Sequence, residues 1–264
     1  MNKGGSMQRQ KAVYTLVSLC ICCLLFFSGC GLDEYYIVSA PYSIVHGSYY
    51  NTTDYTEKYF DFWTNDTANY AADSSFDYLG TAVYYKIYNN YSTMTSAASA
   101  ITALNSSTTY SAAADKMIET YGYRELVTTT TSQSPLIPAS ASNQRVYIRL
   151  SDYQSDTSFA AKLVIGYSGD ISAEATTGIP RRNVSGKYTF NFGRTTKDST
   201  YSKVPASGDS DYSYTSSGFS TDYDNTYFVD MFAVAVGRDT TYTKYYSQVL
   251  HLGAVAISSA TEDN

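Results

Sequence analysis

The chain has 264 residues, with 18 Lys and Arg against 24 Asp and Glu, and its formal net charge is −6. Lys3, Arg9 and Lys11 precede Cys30 in a stretch without acids, so the remainder has 15 cations, 24 acids and a formal charge of −9. Arg181 and Arg182 are the only adjacent basic pair in that remainder. Phosphate binding needs clustered Lys and Arg, so this composition excludes nucleic acid as the expected partner.

The N-terminus combines a basic start with an apolar run from Ala12 to Phe27. This pattern is typical of a signal peptide, which we assign to residues 1–29. About 16 residues of helix rise roughly 24 Å, whereas a bilayer core is about 30 Å thick. The run therefore favours an export signal over a stable transmembrane anchor.

The apolar run ends in Phe27-Ser28-Gly29-Cys30, which resembles the lipobox of bacterial lipoproteins, with Phe27 where that motif usually has Leu. The resemblance implies cleavage before Cys30, lipid on the Cys30 sulfur and a short acylated tether over residues 30–33. It implies an exported protein that is lipid-anchored to the cell envelope, in the outer membrane rather than the inner. Its surface or periplasmic exposure stays open, as does the alternative of an ordinary secretory signal with a chance cysteine.

The cysteines support this reading, because Cys20, Cys22 and Cys23 lie in the apolar run and Cys30 is the last one in the chain. Lipid on Cys30 leaves no disulfide, thiolate metal site or cysteine nucleophile. The exported part, which we interpret as a single domain over residues 34–258, must then be held by its core alone. Residues 259–264 are predicted to be a polar tail.

The first half of that domain alternates with the period of a β-strand. Residues 35–45 favour an edge strand or a bend, because Pro41 cannot donate a ladder hydrogen bond. Residues 53–64 and 79–90 predict two further strands. The opposed faces of the first are Phe60 and Phe62 against Tyr59, Asp61 and Trp63, and those of the second are Leu79, Val83, Tyr85 and Ile87 against Tyr84, Lys86 and Tyr88.

Two helical patterns interrupt the strands. Apolar residues recur at helical spacing within residues 93–121, with Thr93 as the candidate N-cap and Gly122 just past the end. We interpret residues 93–121 as a two-helix insertion that covers one sheet or one open end of a β-sandwich.

Strand patterns resume after the helices, at residues 123–129, 144–150, 160–166 and 186–192. Residues 195–226 are rich in Ser, Thr, Asp, Gly and Tyr and predict an irregular exposed loop. Residues 226–236 and 248–257 are apolar on both faces, so each is expected to be central or covered on its second side.

Two resemblances follow from these stretches. Residues 59–66 and 79–90, with the final pair at 227–239 and 249–257, resemble strands B, C, F and G of fibronectin type III and immunoglobulin-like sandwiches. This implies an antiparallel β-sandwich, although residues 91–225 are longer than such a domain allows. The pattern of 30–36, 83–90, 236–239 and 247–253 resembles uncharacterised paralogous lipoproteins of spirochaetes, particularly treponemes. That resemblance implies an exported lipoprotein and no known activity.

Few residues in the chain suit catalysis or metal binding. His46 follows an edge strand and His251 lies between two Leu residues, and both are interpreted as structural. No catalytic motif is present, so a non-enzymatic protein without cofactor is expected. Weak calcium candidates, which lack the spacing of a full calcium loop, are the carboxylates of Asp209, Asp211, Asp222 and Asp224.

Tyrosine is the unusual component, with 29 residues. Tyr suits a sheet, because it buries its ring while its hydroxyl reaches water. The sequence leaves two functions open. One is a binding, adhesion or structural domain that engages a protein partner, and the other is a carbohydrate-binding module or glycan-active protein. Trp63 discriminates between them, because a buried ring cannot be a sugar platform.

Overall fold

The computed structural model describes residues 36–51, 54–70, 75–129, 134–153, 159–171, 174–194, 201–216 and 225–259. From Ile37 onward the chain forms one compact unit. This unit is mainly β, with antiparallel sheets and few helices, which confirms the predicted class. The signal peptide, Cys30, the tether and residues 260–264 of the tail lie outside the described residues.

The described strands are mostly short, and three long strands dominate them. They are β1 (Ser43–His46), β2 (Phe60–Trp63), β3 (Phe76–Tyr88), β4 (Arg124–Glu125), β5 (Val127–Thr128), β6 (Ile137–Pro138), β7 (Arg145–Arg149), β8 (Lys162–Ile165), β9 (Pro180–Arg181), β10 (Tyr212–Ser213), β11 (Thr226–Asp239) and β12 (Lys244–Ser258). The helices are α1 (Asp66–Asn69), α2 (Tyr91–Thr102) and α3 (Ala112–Asp115), which continues as a π turn over Lys116–Thr120, and 3₁₀ turns cover Tyr55–Glu57 and Ala103–Ser106.

Two sheets carry the unit. Sheet A has the order β1-β2-β7-β8 and is antiparallel throughout. Sheet B has the order β10-β3-β11-β12, with β4 and β6 also paired to β3, and only the β10–β3 pair is parallel. The prediction that the last two long strands are covered on both faces is confirmed, because both contribute buried residues to the two clusters described next.

The main core lies between the sheets. It joins Phe60, Phe62 and Ile148 of sheet A to Val83 and Val229 of sheet B, all fully buried. Because side chains alternate along a strand, Tyr59 and Asp61 fall on the opposite face of β2. The predicted faces of β2 and β3 are therefore confirmed for Phe60, Phe62, Val83, Tyr85 and Ile87. Leu79 was assigned to the wrong face: it packs against the second core, because the ladder register shifts next to it.

A second core covers the other face of sheet B. Met94, Ile101 and Met117 from the helical segment pack there against Phe228 and Phe232 of β11. The expected N-cap was wrong, because Asn90 Oδ1 accepts the hydrogen bond from Thr93 N at 2.9 Å. Gly122 has φ +65°, as expected of the residue that ends a helix.

Two local predictions were wrong. Residues 186–192 are not a strand, because Lys187 and Phe192 adopt φ of 45° and 47° and the chain turns there. Within the predicted exposed loop, Asp211 is fully buried and β10 pairs with β3. Local alternation and polarity misled in both cases, because tertiary contacts decide where these segments lie.

None of the helices in the described ranges has the length and apolar character needed to cross a bilayer.

Candidate ligand-binding cleft

The outer face of sheet A carries a cleft of about 480 Å³, which we call the tyrosine cleft. The strands β2, β7 and β8 turn their apolar residues toward the core, so their alternate residues line this face. The register places Asp61 opposite Tyr147 and Arg149 opposite Lys162. The main lining side chains are Tyr59, Asp61, Arg145, Tyr147, Arg149, Phe159, Lys162, Tyr167 and Ile171.

Aromatic rings form a row along this face. His46 stacks on Tyr59 with ring centroids 3.9 Å apart, and Tyr59 stacks on Tyr147 at 4.9 Å. Tyr167 meets Tyr147 edge-on at 6.4 Å. Tyr147 and Tyr167 are buried, whereas Tyr59 is half-buried and presents part of its ring. The row is therefore a supported platform in which Tyr59 is the accessible member.

A bidentate ion pair fixes one end of the cleft. Arg145 donates from Nε to Asp61 Oδ1 at 3.0 Å and from Nη2 to Asp61 Oδ2 at 2.6 Å. Tyr167 also donates its hydroxyl to Asp61 Oδ2 at 2.5 Å, and the Arg145 guanidinium lies 4.7 Å from the Tyr167 ring centroid. Burial and the Asp61 carboxylate raise the pKa of Tyr167 well above its ordinary value, so its hydroxyl keeps its proton.

Two further cations are fixed in the wall. Arg149 is 3% exposed and donates to Tyr147 Oη, Tyr55 O and Thr56 O at 2.7–3.0 Å. Lys162 donates to Ile171 O at 2.9 Å, and burial together with nearby Arg149 lowers its pKa. These hydrogen bonds hold both cations beside the rings of the cleft.

The tyrosine cleft combines partly exposed aromatic surface with hydrogen-bonding groups of both charge signs. Small-molecule sites have this composition: apolar and aromatic walls with a few fixed polar groups that orient the ligand. The polar groups in the wall are engaged with one another, which suits binding and orientation more than proton transfer.

The residues predicted from sequence fall elsewhere. Asp209 and Asp211 both accept from Arg182, whose Nη2 lies 2.6 Å and 2.7 Å from their carboxylates. Asp222 and Asp224, like Cys30, lie outside the described residues. Within the described ranges, no group of three or more His, Cys, Asp or Glu is arranged to hold a metal ion.

The histidines and Trp63 take different positions from one another. His46 Nε2 lies 2.9 Å from Glu57 O, beside the tyrosine cleft. Trp63 is half-buried opposite Arg145 and does not line the cleft. His251 pairs with the buried carboxylate of Asp230 at 2.7 Å, a partner that sequence spacing did not indicate.

The cleft itself was missed at the level of sequence, although a signal for it exists. Residues 145–149 alternate Arg, Val, Tyr, Ile and Arg, which places two cations and an aromatic ring on one face of a strand. The neighbours of that face, on β2 and β8, became known only from the strand pairing.

No protein-family model, curated protein or solved structure matches this chain. The geometry of the site is therefore the basis for a functional proposal.

Proposed function

We propose that this protein is an exported, lipid-anchored, non-catalytic binding protein whose tyrosine cleft binds a carbohydrate. The observation that carries the proposal is the row formed by Tyr59, Tyr147 and Tyr167 beside three cations on one sheet face. Sugar rings have apolar C–H faces that pack on aromatic rings, and their hydroxyls bind fixed donors and acceptors. Tyr59 supplies the partly exposed ring of this platform, whereas Trp63 lies outside the cleft.

A glycan array probed with the full-length chain tests this proposal, followed by calorimetric titration of any glycan that binds. Tyr59→Ala should weaken binding about two- to tenfold, because an aromatic contact contributes about 0.5–1.5 kcal/mol. Tyr242→Ala is the matched control, because Tyr242 is 74% exposed in the β11–β12 turn and does not line the cleft. An array without binding, or equal effects of the two substitutions, would reject the carbohydrate function.

The envelope anchor is supported by the order of the basic start, the apolar run and the lipobox-like residues before Cys30. We propose, from the stated resemblance, that the chain belongs with the uncharacterised spirochaetal lipoproteins. Mass spectrometry of the membrane-extracted protein should find a diacyl or triacyl N-terminal cysteine. A product with an unmodified sulfur, or one cut at another position, would overturn the anchor without affecting the cleft.

For the architecture, we propose an immunoglobulin-like sandwich with residues 93–121 as an insertion. The neighbours β3, β11 and β12 support it, because this is the C-F-G order of such a sheet. Sheet A departs from the usual A-B-E-D order: β7 pairs with β2, and the later strand β8 lies outside it. Cross-strand nuclear Overhauser effects between β2 and β7 would test this order.

A protein partner remains a second candidate, favoured by one specific observation. Among the described residues, five of the twelve exposed large hydrophobic side chains lie within residues 37–49, around β1. These five are Ile37, Tyr42, Ile44, Val45 and Tyr49. An edge strand with exposed apolar residues is a template for association. Cross-linking in intact cells from a photoreactive residue at Val45 should capture a protein if this surface is an interface.

A further inference from the structure

A second cleft lies on the opposite side of sheet B, between α2 and residues 47–50. Its volume is about 310 Å³, near the lower limit for a small-molecule site. Its walls are mainly apolar and include Tyr50, Met94, Ala98 and Leu252. We call it the His251 cleft, after the imidazole in its wall.

His251 is held in place by a buried hydrogen-bond chain. Asp230 is fully buried, and its Oδ1 lies 2.7 Å from His251 Nε2. Its other oxygen, Oδ2, accepts from the Tyr123 hydroxyl at 2.6 Å, and Tyr88 donates to Tyr123 at 3.3 Å. The imidazole also stacks on Phe232 with centroids 4.5 Å apart. The hydrogen bond and the ring stack together fix the imidazole, so Nε2 is committed to Asp230.

The remaining nitrogen of His251 is therefore the one available to a ligand. Its side chain is 33% exposed, and Nδ1 makes no hydrogen bond to a described residue. In the neutral ring, Nδ1 is an acceptor when Nε2 donates to a carboxylate, and in the protonated ring it is a donor. A hydroxyl group can complete either form, because it both donates and accepts.

Ser48 lies in the wall of the same cleft. It is 2% exposed, and its hydroxyl has no hydrogen-bond partner among the described residues. Its carbonyl accepts from Ala254 N at 3.1 Å, which fixes Ser48 against β12. Gly253 permits this approach: its φ is +98°, and a Cβ there would lie 2.4 Å from Ser48 O. The Ser48 hydroxyl has no appreciable accessible surface, so Ser48 shapes the wall of the cleft and leaves His251 Nδ1 as the polar contact for a ligand.

We propose that the His251 cleft binds a small, mainly apolar molecule that carries one hydroxyl group, such as a phenol. The hydroxyl would bond to His251 Nδ1, and the apolar body would pack against Met94 and Leu252. This site is separate from the tyrosine cleft, which lies on the outer face of the other sheet. The His251 cleft has a mainly apolar wall, whereas the tyrosine cleft is lined by several charged groups.

The experiment is a titration of the full-length chain, labelled with ¹³C in its methionine methyl groups, with 4-ethylphenol. The Met94 resonance, assigned through Met94→Leu, reports occupancy of the cleft. We expect 4-ethylphenol to shift this resonance and to bind about fivefold or more tightly than ethylbenzene, which has the same body without the hydroxyl. If the Met94 shift does not saturate with 4-ethylphenol, or if the two probes bind equally tightly, the proposal is overturned.

Variants separate the polar contact from general packing. His251→Gln keeps a donor for Asp230 but lacks the second ring nitrogen, so it should weaken 4-ethylphenol about two- to twelvefold and leave ethylbenzene unchanged. His46→Gln is the matched control, because His46 stacks on Tyr59 beside the tyrosine cleft and does not line the His251 cleft. Thermal unfolding of each variant verifies its folding. An unchanged affinity of folded His251→Gln for 4-ethylphenol would refute the assigned contact.

Discussion

Arg182 provides the sharpest test of what holds the domain together. Its guanidinium is completely buried and donates to Asp211 from Nε at 2.9 Å and from Nη2 at 2.7 Å. The same Nη2 donates to Asp209 at 2.6 Å, and Tyr85 donates its hydroxyl to Asp211 Oδ2 at 2.7 Å. Burial alone would lower the pKa of Arg182, but the bonds to Asp211 and Asp209 outweigh it and raise that pKa.

We expect Arg182→Met to lower the free energy of unfolding by about 3–5 kcal/mol, because it leaves the Asp211 carboxylate buried without its cation. For a unit of this size, the melting temperature should fall by roughly 6–20 °C. Urea unfolding followed by circular dichroism measures the loss. Asp211→Asn in the Arg182→Met background should recover part of it, since the uncompensated charge is then removed.

The matched control is Arg238→Met, which breaks an exposed ion pair with Asp77. Exposed pairs contribute about 0–1 kcal/mol, so this variant should unfold close to the parent. If Arg182→Met were as mild as the control, the Asp211 carboxylate would have to reach water in the variant. That result would refute the claim that Arg182 compensates the buried charge of Asp211.

Two further perturbations test local features. Gly80→Ala should destabilise the fold by about 1–3 kcal/mol in thermal melts, because φ at Gly80 is +130° and a Cβ there would lie 2.1 Å from Ile137 O. Gly208 faces open space, so Gly208→Ala should be neutral. Equal effects of the two substitutions would contradict this prediction. Asp239 accepts hydrogen bonds, chiefly from the Thr241 hydroxyl, and these lower the pKa of its carboxyl. The contribution of Asp239 to stability is therefore present above the unfolded pKa of about 3.8 and is lost as pH falls through the lower folded pKa. Asp239→Asn should flatten unfolding free energy against pH between about 2 and 4, and an unchanged profile would contradict this.

Tyrosine–aspartate bonds are a recurrent feature of the described unit. Tyr85 donates to Asp211, Tyr123 to Asp230 and Tyr167 to Asp61, across sequence separations of 126, 107 and 106 residues. The chain has no cysteine after Cys30, so disulfides cannot join these segments. Hydrogen bonds to charged groups contribute about 1.5–3 kcal/mol each, which makes them effective non-covalent ties. Part of the high tyrosine content is therefore structural.

The sequence determined much of the local structure. Period-two alternation correctly divided Phe60 and Phe62 from Tyr59 and Asp61, because side chains on a strand must point to opposite faces. Apolar content on both faces predicted that β11 and β12 are covered twice. The helical segment was also readable, although its N-cap was misplaced by three residues because several polar residues there can cap.

Only the tertiary structure decided which distant groups meet. Asp230 and His251 each interrupt an apolar strand, but the register of β11 against β12 makes them partners. Arg182 forms ion pairs with Asp209 and Asp211, two of the carboxylates that the sequence suggested as calcium ligands. Local periodicity fixes the direction of a side chain along its own element, whereas pairing depends on the packing energy of the whole unit. The two clefts are products of that packing.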